Sequence, residues 1–344
     1  MLRFGVTFQP DPPLRRTVEL ARIAEETGHD YVWLWDSHVL WQEVYPIFAL
    51  IAEGTERVRI GPCVTNPATR HPTVTASAIA TLNELSGGRM EVGIGRGDSA
   101  QRVIGAHPVS LDRLRWACHV IRELVAGRPV EVDGATVRLA WSPGHEVRIW
   151  IAGYGPRALG LAGEVADGVI LQLADPDLIP WFLGHVEEGA RRTGRRLSEI
   201  EVQVAAPAYV GPDRARAREQ VRWFPALVSN HVIDLVRRYA PDQLPAELTE
   251  YVRVRDRYDY AEHGRMGARH TSWVSDEVVD RFCVIGSVDE VRAKLRRLEA
   301  VGMTQFNNYD MGEDPAGQMR IFGSELIPAW RQSARTVPPG AGAP

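Results

Sequence analysis

The chain has 344 residues, of which 44% are hydrophobic and 24% charged, and its formal net charge at pH 7 is −4. This length fits two ordinary domains or one α/β barrel with insertions, and the slightly acidic balance excludes a general attraction to nucleic acid or anionic lipid. Lys294 is the one lysine among 40 basic residues. We expect it on the solvated face of a helix, which excludes Schiff-base chemistry. Because Leu295 follows it, the phosphate-loop signature is also excluded.

Short β-branched segments alternate with longer amphipathic ones along the chain. The predicted strands are Arg3–Phe8, Tyr31–Trp35, Val58–Val64, Met90–Ile94, Val147–Ala152, Gly168–Leu173, Glu201–Val210 and Thr304–Tyr309. The predicted helices are Leu14–Thr27, Pro46–Gly54, Thr73–Leu85, Leu111–Ala126, Pro156–Ala166, Leu178–Gly194, Val288–Val301 and Gly317–Arg331. This alternation predicts an α/β fold of the (β/α)8 TIM-barrel class. A doubly wound sheet is the alternative, but the first turn, GVTFQPDPP, lacks the GxGxxG of that class.

Two segments interrupt the alternation. Pro129–Leu139 alternates around Asp133-Gly134, which predicts a small hairpin before strand five. The stretch 212–286 is too long for one crossover, so we expect an insertion near strand seven that caps the barrel mouth or contacts a partner subunit. We therefore expect a single barrel domain over residues 1–334 and a disordered tail over 335–344.

Several other classes of protein are disfavoured. Charges interrupt every hydrophobic run well before the roughly 20 residues of a membrane span. Cys63, Cys118 and Cys283 are far apart and odd in number, which argues against a disulfide framework or a zinc site. His263 and His270 lie in the insertion without the spacing of metal ligands, so we expect no metal. A reducing cytoplasm is the expected location.

Polar residues and glycines follow the predicted strands, where the active site of such a barrel lies. In strand order they are Gln9 and Pro10; Asp36, Ser37, His38 and Trp41; Cys63, Val64, Thr65 and Asn66; Gly95, Arg96, Gly97, Asp98 and Ser99; Gly153, Tyr154, Gly155 and Arg157; and Gln172 and Asp175. These residues are the expected lining of a functional mouth.

The WDSH segment places an aspartate and a histidine two residues apart. If the strand geometry continues, Asp36 and His38 point the same way, and the aspartate can orient an imidazole that serves as acid or base. The alternative is that Asp36 caps the loop while His38 packs against Trp41.

The turn after strand five reads Gly-Tyr-Gly-Pro-Arg. Pro156 suits the first position of a helix, the glycines let a ligand approach the backbone, and the free amides of the helix attract an anion to which Arg157 adds charge. This predicts a phosphate cradle, although many such turns carry glycines for geometry alone.

GIGRGDSA is a weak dinucleotide signature but a reasonable turn for a flat ligand.

Three segments together resemble the luciferase-like oxidoreductase superfamily. They are RVRIGPCVTNPATRHPTVTASAIATLNELSGGRMEVGIGRGDS, AGYGPRALGLAGEVADGVIL and IGSVDEVRAKLRRLEAVGMTQF, and the resemblance spans about residues 3–330. The superfamily comprises flavin-dependent monooxygenases and reductases or dehydrogenases that use the deazaflavin coenzyme F420. The chain is most similar to the methylenetetrahydromethanopterin-reductase-like, F420-dependent branch.

The resemblance implies a coenzyme site. A bulge in the third strand carries a non-prolyl cis peptide that supports the coenzyme ring, here Cys63-Val64; the coenzyme phosphate binds at the turn after strand five. The expected coenzyme-binding residues are Cys63, Val64, Thr65, Asn66, Gly95, Arg96, Ser99, Gly153, Tyr154, Gly155, Pro156, Arg157 and Gln172.

The expected catalytic residues are Asp36, His38 and Trp41. F420 dehydrogenases of this family often have adjacent Asp-His after strand two, whereas this chain has Asp36-Ser37-His38. Ser37 can therefore stand at the position of the family's histidine. The resemblance implies a homodimeric oxidoreductase that passes a hydride between F420 and a small organic substrate. The alternatives are an FMN-dependent monooxygenase and a barrel that binds a phosphorylated ligand without catalysis.

Overall fold

The structure is a computed structural model that describes residues 1–255 and 257–333. The tail predicted to be disordered, residues 335–344, lies outside the described residues. In the described part of the chain, no helix is long and apolar enough to cross a membrane.

The strands and helices alternate as the sequence predicts, with ends that differ by a few residues. The strands are β1 (Arg3–Phe8), β2 (Tyr31–Leu34), β3 (Arg59–Pro62), β4 (Val92–Ile94), β5 (Val130–Val132), β6 (Ala135–Val137), β7 (Ile149–Ala152), β8 (Gly168–Leu171), β9 (Glu201–Ala206), β10 (Ala208–Val210), β11 (Val284–Gly286) and β12 (Gln305–Tyr309). The helices are α1 (Leu14–Glu26), α2 (Val44–Gly54), α3 (Pro72–Leu85), α4 (Asp98–Arg102), α5 (Leu111–Val125), α6 (Pro156–Val165), α7 (Ile179–Arg192), α8 (Arg214–Val221), α9 (Trp223–Val236), α10 (Ala246–Thr249), α11 (Asp276–Phe282), α12 (Val288–Ala300), α13 (Pro315–Ile321) and α14 (Ile327–Ser333).

Eight of these strands form one parallel sheet in the order β3-β2-β1-β12-β9-β8-β7-β4. The two ends of this sheet meet through backbone bridges from Ile60 to Met90 and from Thr65 to Ile94. The sheet is thereby closed, and the helices between the strands cover its outside. The (β/α)8 TIM-barrel prediction is confirmed.

The seam between β3 and β4 contains a β-bulge. Five residue steps separate Ile60 from Thr65, whereas four separate their partners Met90 and Ile94, so the third strand carries one extra residue. Two glycines permit this close approach: a Cβ on Gly61 would overlap the carbonyl oxygen of Glu91, and one on Gly93 would overlap that of Pro62.

Packed aromatic rings fill the amino-terminal half of the barrel. Tyr31 and Trp33 lie parallel with ring centroids 5.5 Å apart, and Trp150 meets Trp33 edge-on at 6.0 Å. The buried Glu91 carboxylate accepts hydrogen bonds from Trp150 and from the Arg59 guanidinium, which pairs its charge. This packed layer leaves the opposite, carboxyl-terminal end of the barrel for a ligand.

The predicted hairpin and the predicted strand before the insertion have different outcomes. The hairpin is present as β5 and β6, with Asp133 and Gly134 both at positive φ in the turn. The predicted strand Glu201–Val210 is wrong as a single strand, because it divides at Pro207 into β9, inside the barrel, and β10, outside it. β10 pairs in parallel with β11, a strand that the sequence did not predict. The helices α8 to α11 lie between these two strands in the sequence.

Lys294 is not a solvated surface residue, so its predicted placement is wrong. Its ammonium donates hydrogen bonds to the carbonyl oxygens of Asp280, Arg281 and Cys283, at 2.7, 2.8 and 2.6 Å, around the carboxyl end of α11. Burial lowers the pKa of Lys294 to about 8. The charged face of α12 packs against the end of another helix, which the periodicity of α12 alone does not reveal.

Glycines bring α6 and α7 into close contact. A Cβ on Gly189 of α7 would overlap the backbone carbonyl of Gly160 in α6, whereas Gly184 of the same helix is exposed with no atom within 4 Å of that position. Both glycines lie inside one helix, so alanine has the same favourable effect on helix propensity at each, and only the packing differs.

We therefore expect Gly189→Ala to lower the free energy of unfolding by about 1–3 kcal/mol, because rigid backbone must move apart. Gly184→Ala, the matched control, should raise the free energy of unfolding by up to about 1 kcal/mol. Urea denaturation followed by circular dichroism measures both. Equal effects of the two substitutions would contradict the close packing of α6 on α7.

Candidate active site

A cavity of about 590 Å³ opens at the carboxyl ends of the barrel strands. Its walls come from the segments that follow β2, β3, β4, β7 and β8, and from the insertion. The predicted residues that line it are Asp36, Trp41, Cys63, Val64, Asn66, Gly95, Arg96, Ser99, Gly153, Tyr154, Gly155, Arg157 and Gln172. Residues from five separate loops of the sequence thus meet around one space.

Three of the predicted catalytic and coenzyme-binding residues do not line this cavity, and neither do Gln9, Pro10 and Asp175 of the expected mouth. Thr65 is buried behind it and donates its hydroxyl to the Asp36 carboxylate at 2.7 Å. Pro156 is the first residue of α6 and stands behind the turn that lines the cavity. His38 is exposed and does not line the cavity, although its charge acts against the rise in the pKa of the Asp36 carboxyl.

His38 does not line the cavity, because the strand geometry does not continue. β2 ends at Leu34, and the chain turns at Ser37, whose carbonyl accepts hydrogen bonds from the amides of Leu40 and Trp41. This turn directs Ser37 into the cavity, where its hydroxyl lies 2.6 Å from that of Ser99. The position beside Asp36 is therefore occupied by a serine hydroxyl.

Asp36 is almost fully buried and held from two sides. Its carboxylate accepts the Thr65 hydroxyl and pairs with the Arg70 guanidinium at 3.3 Å, and Arg70 also pairs with Glu43. Burial raises the pKa of Asp36 above its ordinary value, although Thr65 and Arg70 act in the opposite direction. A carboxyl group with a raised pKa that lines a cavity is suited to hold or release a proton.

The floor of the cavity is formed where the barrel closes. The peptide bond between Cys63 and Val64 is cis, which confirms that expectation, and both residues line the cavity. The thiol of Cys63 is buried 3.6 Å from the Gln203 side-chain oxygen, and burial raises its pKa to about 12. The group is therefore a neutral thiol near pH 7.

Gln172 is held in one orientation beside this floor. The Tyr154 hydroxyl donates to its side-chain oxygen at 2.9 Å, and its nitrogen donates to the Tyr309 hydroxyl at 2.6 Å. Both rings are buried, so the amide is anchored at each end. The side chain presents a defined polar surface to a ligand.

One end of the cavity is cationic. Arg157 in the first turn of α6 and Arg238 just after α9 are exposed at the cavity wall, and neither side chain has an ion-pair partner within residues 1–255 and 257–333. Arg96 donates hydrogen bonds to the carbonyl of Val109 at 2.6 Å; burial, and then the charge of Arg238, lowers its pKa. The carboxylates nearby, Asp98 and Asp234, are both paired with Arg102, so the charges of these arginines favour an anionic ligand.

The turn between β7 and α6 leaves backbone amides available at this same end. Gly155 precedes the first residue of α6, and no side chain caps that helix terminus. A Cβ on Gly155 would lie 2.6 Å from a methyl group of Leu235, so a larger residue here would displace that side chain of α9. Uncapped amides and nearby arginines together form a site for a phosphate-sized anion.

The insertion provides a part of the lining that the sequence did not predict. α9 and its end contribute Leu227, His231, Asp234, Leu235, Arg238 and Tyr239, and His263 comes from further along. The residues of α9 recur at helical spacing and share one face, a signal present in VRWFPALVSNHVIDLVRRY. His231 stacks on Tyr154 with ring centroids 4.4 Å apart.

An ion-pair network joins α9 to α4, the short helix that follows β4. Arg102 bridges Asp98 and Asp234, each at 2.5 Å, and His231 lies 4.0 Å from the Asp98 carboxylate. Burial raises the pKa of Asp98, but His231 and Arg102 outweigh it and hold that pKa below its ordinary value. The network holds α9 over the barrel mouth.

Comparisons with known proteins agree with this architecture. The sequence profile of a family described as luciferase-like monooxygenase matches residues 2–305. The chain is 31% identical over 336 residues to 5,10-methylenetetrahydromethanopterin reductase of Archaeoglobus fulgidus, covering 95% of this chain and 99% of that one. The F420-dependent glucose-6-phosphate dehydrogenase of Microbacterium testaceum is 28% identical, with 96% and 98% covered.

A solved structure gives the same relationship. The coenzyme F420-dependent tetrahydromethanopterin reductase from Methanopyrus kandleri superposes with a TM-score of 0.76 at 26% identity, covering 95% of this chain and 99% of that one. The resemblance inferred from the sequence is thus confirmed. The chain belongs to the luciferase-like monooxygenase family.

Proposed function

We propose that this chain is an F420-dependent oxidoreductase that transfers a hydride between the deazaflavin ring and a small organic substrate. The observation that carries the proposal is a cavity with two arginines at one end, Arg157 and Arg238, that have no ion-pair partner among the described residues, and a buried carboxyl group, Asp36, at another wall. Relatives with names that specify F420 align over nearly the whole chain, which supports the choice of coenzyme.

The residues of the cavity fit such a coenzyme. Its phosphate would bind at the amides of Tyr154, Gly155 and Arg157, and its negatively charged tail would lie among Arg157, Arg238 and Arg96. Cys63, Val64, Asn66, Gly95, Ser99 and Gln172 provide a mostly uncharged wall for a flat ring. Thr65 and Pro156 act from behind this wall, through Asp36 and through the start of α6.

The coenzyme, when bound, accepts or donates the hydride. The chain supplies the proton chemistry: the Asp36 carboxyl, oriented by Thr65 and Arg70, holds or releases a proton at its carboxyl oxygen. Trp41 and Trp35, with ring centroids 5.0 Å apart, exclude water from the space beside Asp36. His38 has no role in this proposal, because it lies outside the cavity.

Two further properties are part of the proposal. α2 and α3 pack against each other and expose Leu50 and Val74, apolar side chains that a second copy of the chain would cover, so we propose a homodimer. The three cysteines are free and buried, which supports a reducing, cytoplasmic location.

An FMN-dependent monooxygenase is the alternative function. FMN also carries a phosphate, so the turn at Gly155 suits it equally, but FMN ends at that phosphate. The arginines beyond the turn, above all Arg238, favour a coenzyme with further negative charge.

Removal of one cationic charge at the cavity tests the choice of coenzyme. We expect Arg238→Ser and Arg157→Ser each to raise the Kd for F420 about tenfold, because an anionic group loses a charged partner. Arg237→Ser is the matched control: Arg237 is equally exposed beside Arg238 but does not line the cavity, and its Kd should stay that of the unchanged protein. Quenching of F420 fluorescence measures each Kd.

The same titration with FMN separates the alternatives. Tight binding of FMN without binding of F420 would contradict the F420 proposal and support the monooxygenase. Equal F420 affinity of the Arg237 and Arg238 variants would contradict the assignment of the cationic end to the coenzyme.

Replacement of the buried carboxyl tests the proton chemistry. We expect Asp36→Asn to lower kcat by roughly 10²–10⁴-fold, because the amide cannot exchange a proton, while the Kd for F420 changes little. The oxidation of reduced F420 by a panel of small ketones and imines, followed by absorbance, gives the rate. Unchanged turnover in Asp36→Asn would exclude this carboxyl group, and a wild-type protein that binds F420 without turnover of any acceptor would support a non-catalytic barrel.

A further inference from the structure

His263 is a buried histidine of the insertion that faces the cavity. It follows the short helical turn Tyr260–Glu262 and is 7% exposed. Its ring stacks on Tyr260 at 5.6 Å and lies 6.1 and 5.9 Å from the rings of Trp35 and Trp41. The imidazole is thus a polar group among aromatic rings.

One ring nitrogen of His263 is already engaged. Nδ1 lies 2.6 Å from the hydroxyl of Tyr258. Burial raises the pKa of that phenol well above its ordinary value, and burial lowers the pKa of His263 to about 3, so both groups are neutral. A phenol O–H is a stronger acid than the N–H of a neutral imidazole, so the phenol donates to Nδ1 and the ring proton resides on Nε2.

The other ring nitrogen is available to a ligand. Within residues 1–255 and 257–333, Nε2 makes no hydrogen bond, and His263 contributes to the cavity wall. A polar N–H in an aromatic surrounding is unfavourable unless it finds an acceptor. The position therefore favours a ligand with an acceptor atom over one that is entirely apolar.

The aromatic wall lies away from the cationic end. Trp35 and Trp41 follow β2, and Arg157 follows β7, which is three strands away around the eight-stranded barrel. The arginines that line the cavity, among the described residues, are Arg96, Arg157 and Arg238, and none of them contacts the rings of Trp35, Trp41 or His263. Arg70, beside Asp36, is paired with Asp36 and Glu43, so among the described residues a ligand beside these rings meets no unpaired cationic side chain that would favour a phosphate or carboxylate.

We propose that the substrate is an uncharged carbonyl compound whose oxygen accepts a hydrogen bond from Nε2 of His263, with Trp35 and Trp41 beside its apolar part. This assignment rests on the proposed hydride-transfer function and adds the substrate class. His263 acts as a hydrogen-bond donor and keeps its proton. The carbonyl carbon gains the hydride of reduced F420, the π electron pair moves to the oxygen, and the oxygen takes one proton, which the Asp36 carboxyl supplies.

Tyr258 is a positioning residue in this arrangement. Its hydroxyl determines which nitrogen of His263 carries the proton, and it does not itself line the cavity. Loss of that hydroxyl would leave the imidazole in place but free to carry its proton on either nitrogen.

The test compares two probes that differ in one atom group. Cyclohexanone carries the oxygen, and methylenecyclohexane carries a methylene group in its place. In the presence of oxidised F420, where no turnover occurs, we expect the unchanged protein to bind cyclohexanone about tenfold more tightly. His263→Gln, which offers an N–H near the same position, should keep most of this preference, and His263→Phe should abolish it.

Nitrogen-15 NMR of the histidines gives a readout that a packing role alone would not move. We expect the His263 signals of a neutral ring protonated at Nε2, and a mixture of both protonated forms in Tyr258→Phe. A proton on Nδ1 in the unchanged protein, or equal affinity for the two probes, would overturn the proposal. F420 binding of all three variants should match the unchanged protein, so a failure of F420 to bind the unchanged protein would refute the proposed function separately from the role of His263.

Discussion

The close approach of β3 and β4 is the constraint on which the barrel and its cavity depend. Bulk at Gly61 or Gly93 would push the two strands apart, and the sheet would remain open between them. The extra residue of β3 lies in this seam, between the bridges at Ile60 and Thr65, and it brings Cys63 and Val64 to the cavity floor. The seam that completes the fold thus also forms the surface that a flat ring would contact.

The distribution of charge explains how one cavity can hold two different ligands. Some arginines are paired on the surface: Arg218, for example, bridges Asp276 and Asp280. At the cavity, Arg157 and Arg238 have no such partner among the described residues, whereas Arg102 is neutralised between Asp98 and Asp234. An anionic coenzyme tail and an uncharged substrate therefore find separate environments within a few strands of each other.

Much of the fold could be predicted because its signals are local. The strands of a parallel barrel read as short apolar segments, and the turn before Pro156 combines glycines with a helix start. The errors arose where distant packing decides: β10 leaves the barrel to pair with β11, and Lys294 reaches the end of another helix. His38 was misplaced because the turn at Ser37 depends on backbone bonds rather than on residue spacing, and the lining from α9 required knowledge of which way that helix faces.

The central claim is that one cavity holds F420 by its phosphate at the α6 terminus and by its ring at the barrel seam. A crystal structure of the protein soaked with F420 tests it most directly. The account predicts the phosphate within hydrogen-bond distance of the amides of Tyr154, Gly155 and Arg157, the tail beside Arg238, and the ring against Cys63 and Val64. A phosphate bound elsewhere, or a ring on the far side of the cavity from the seam, would contradict it.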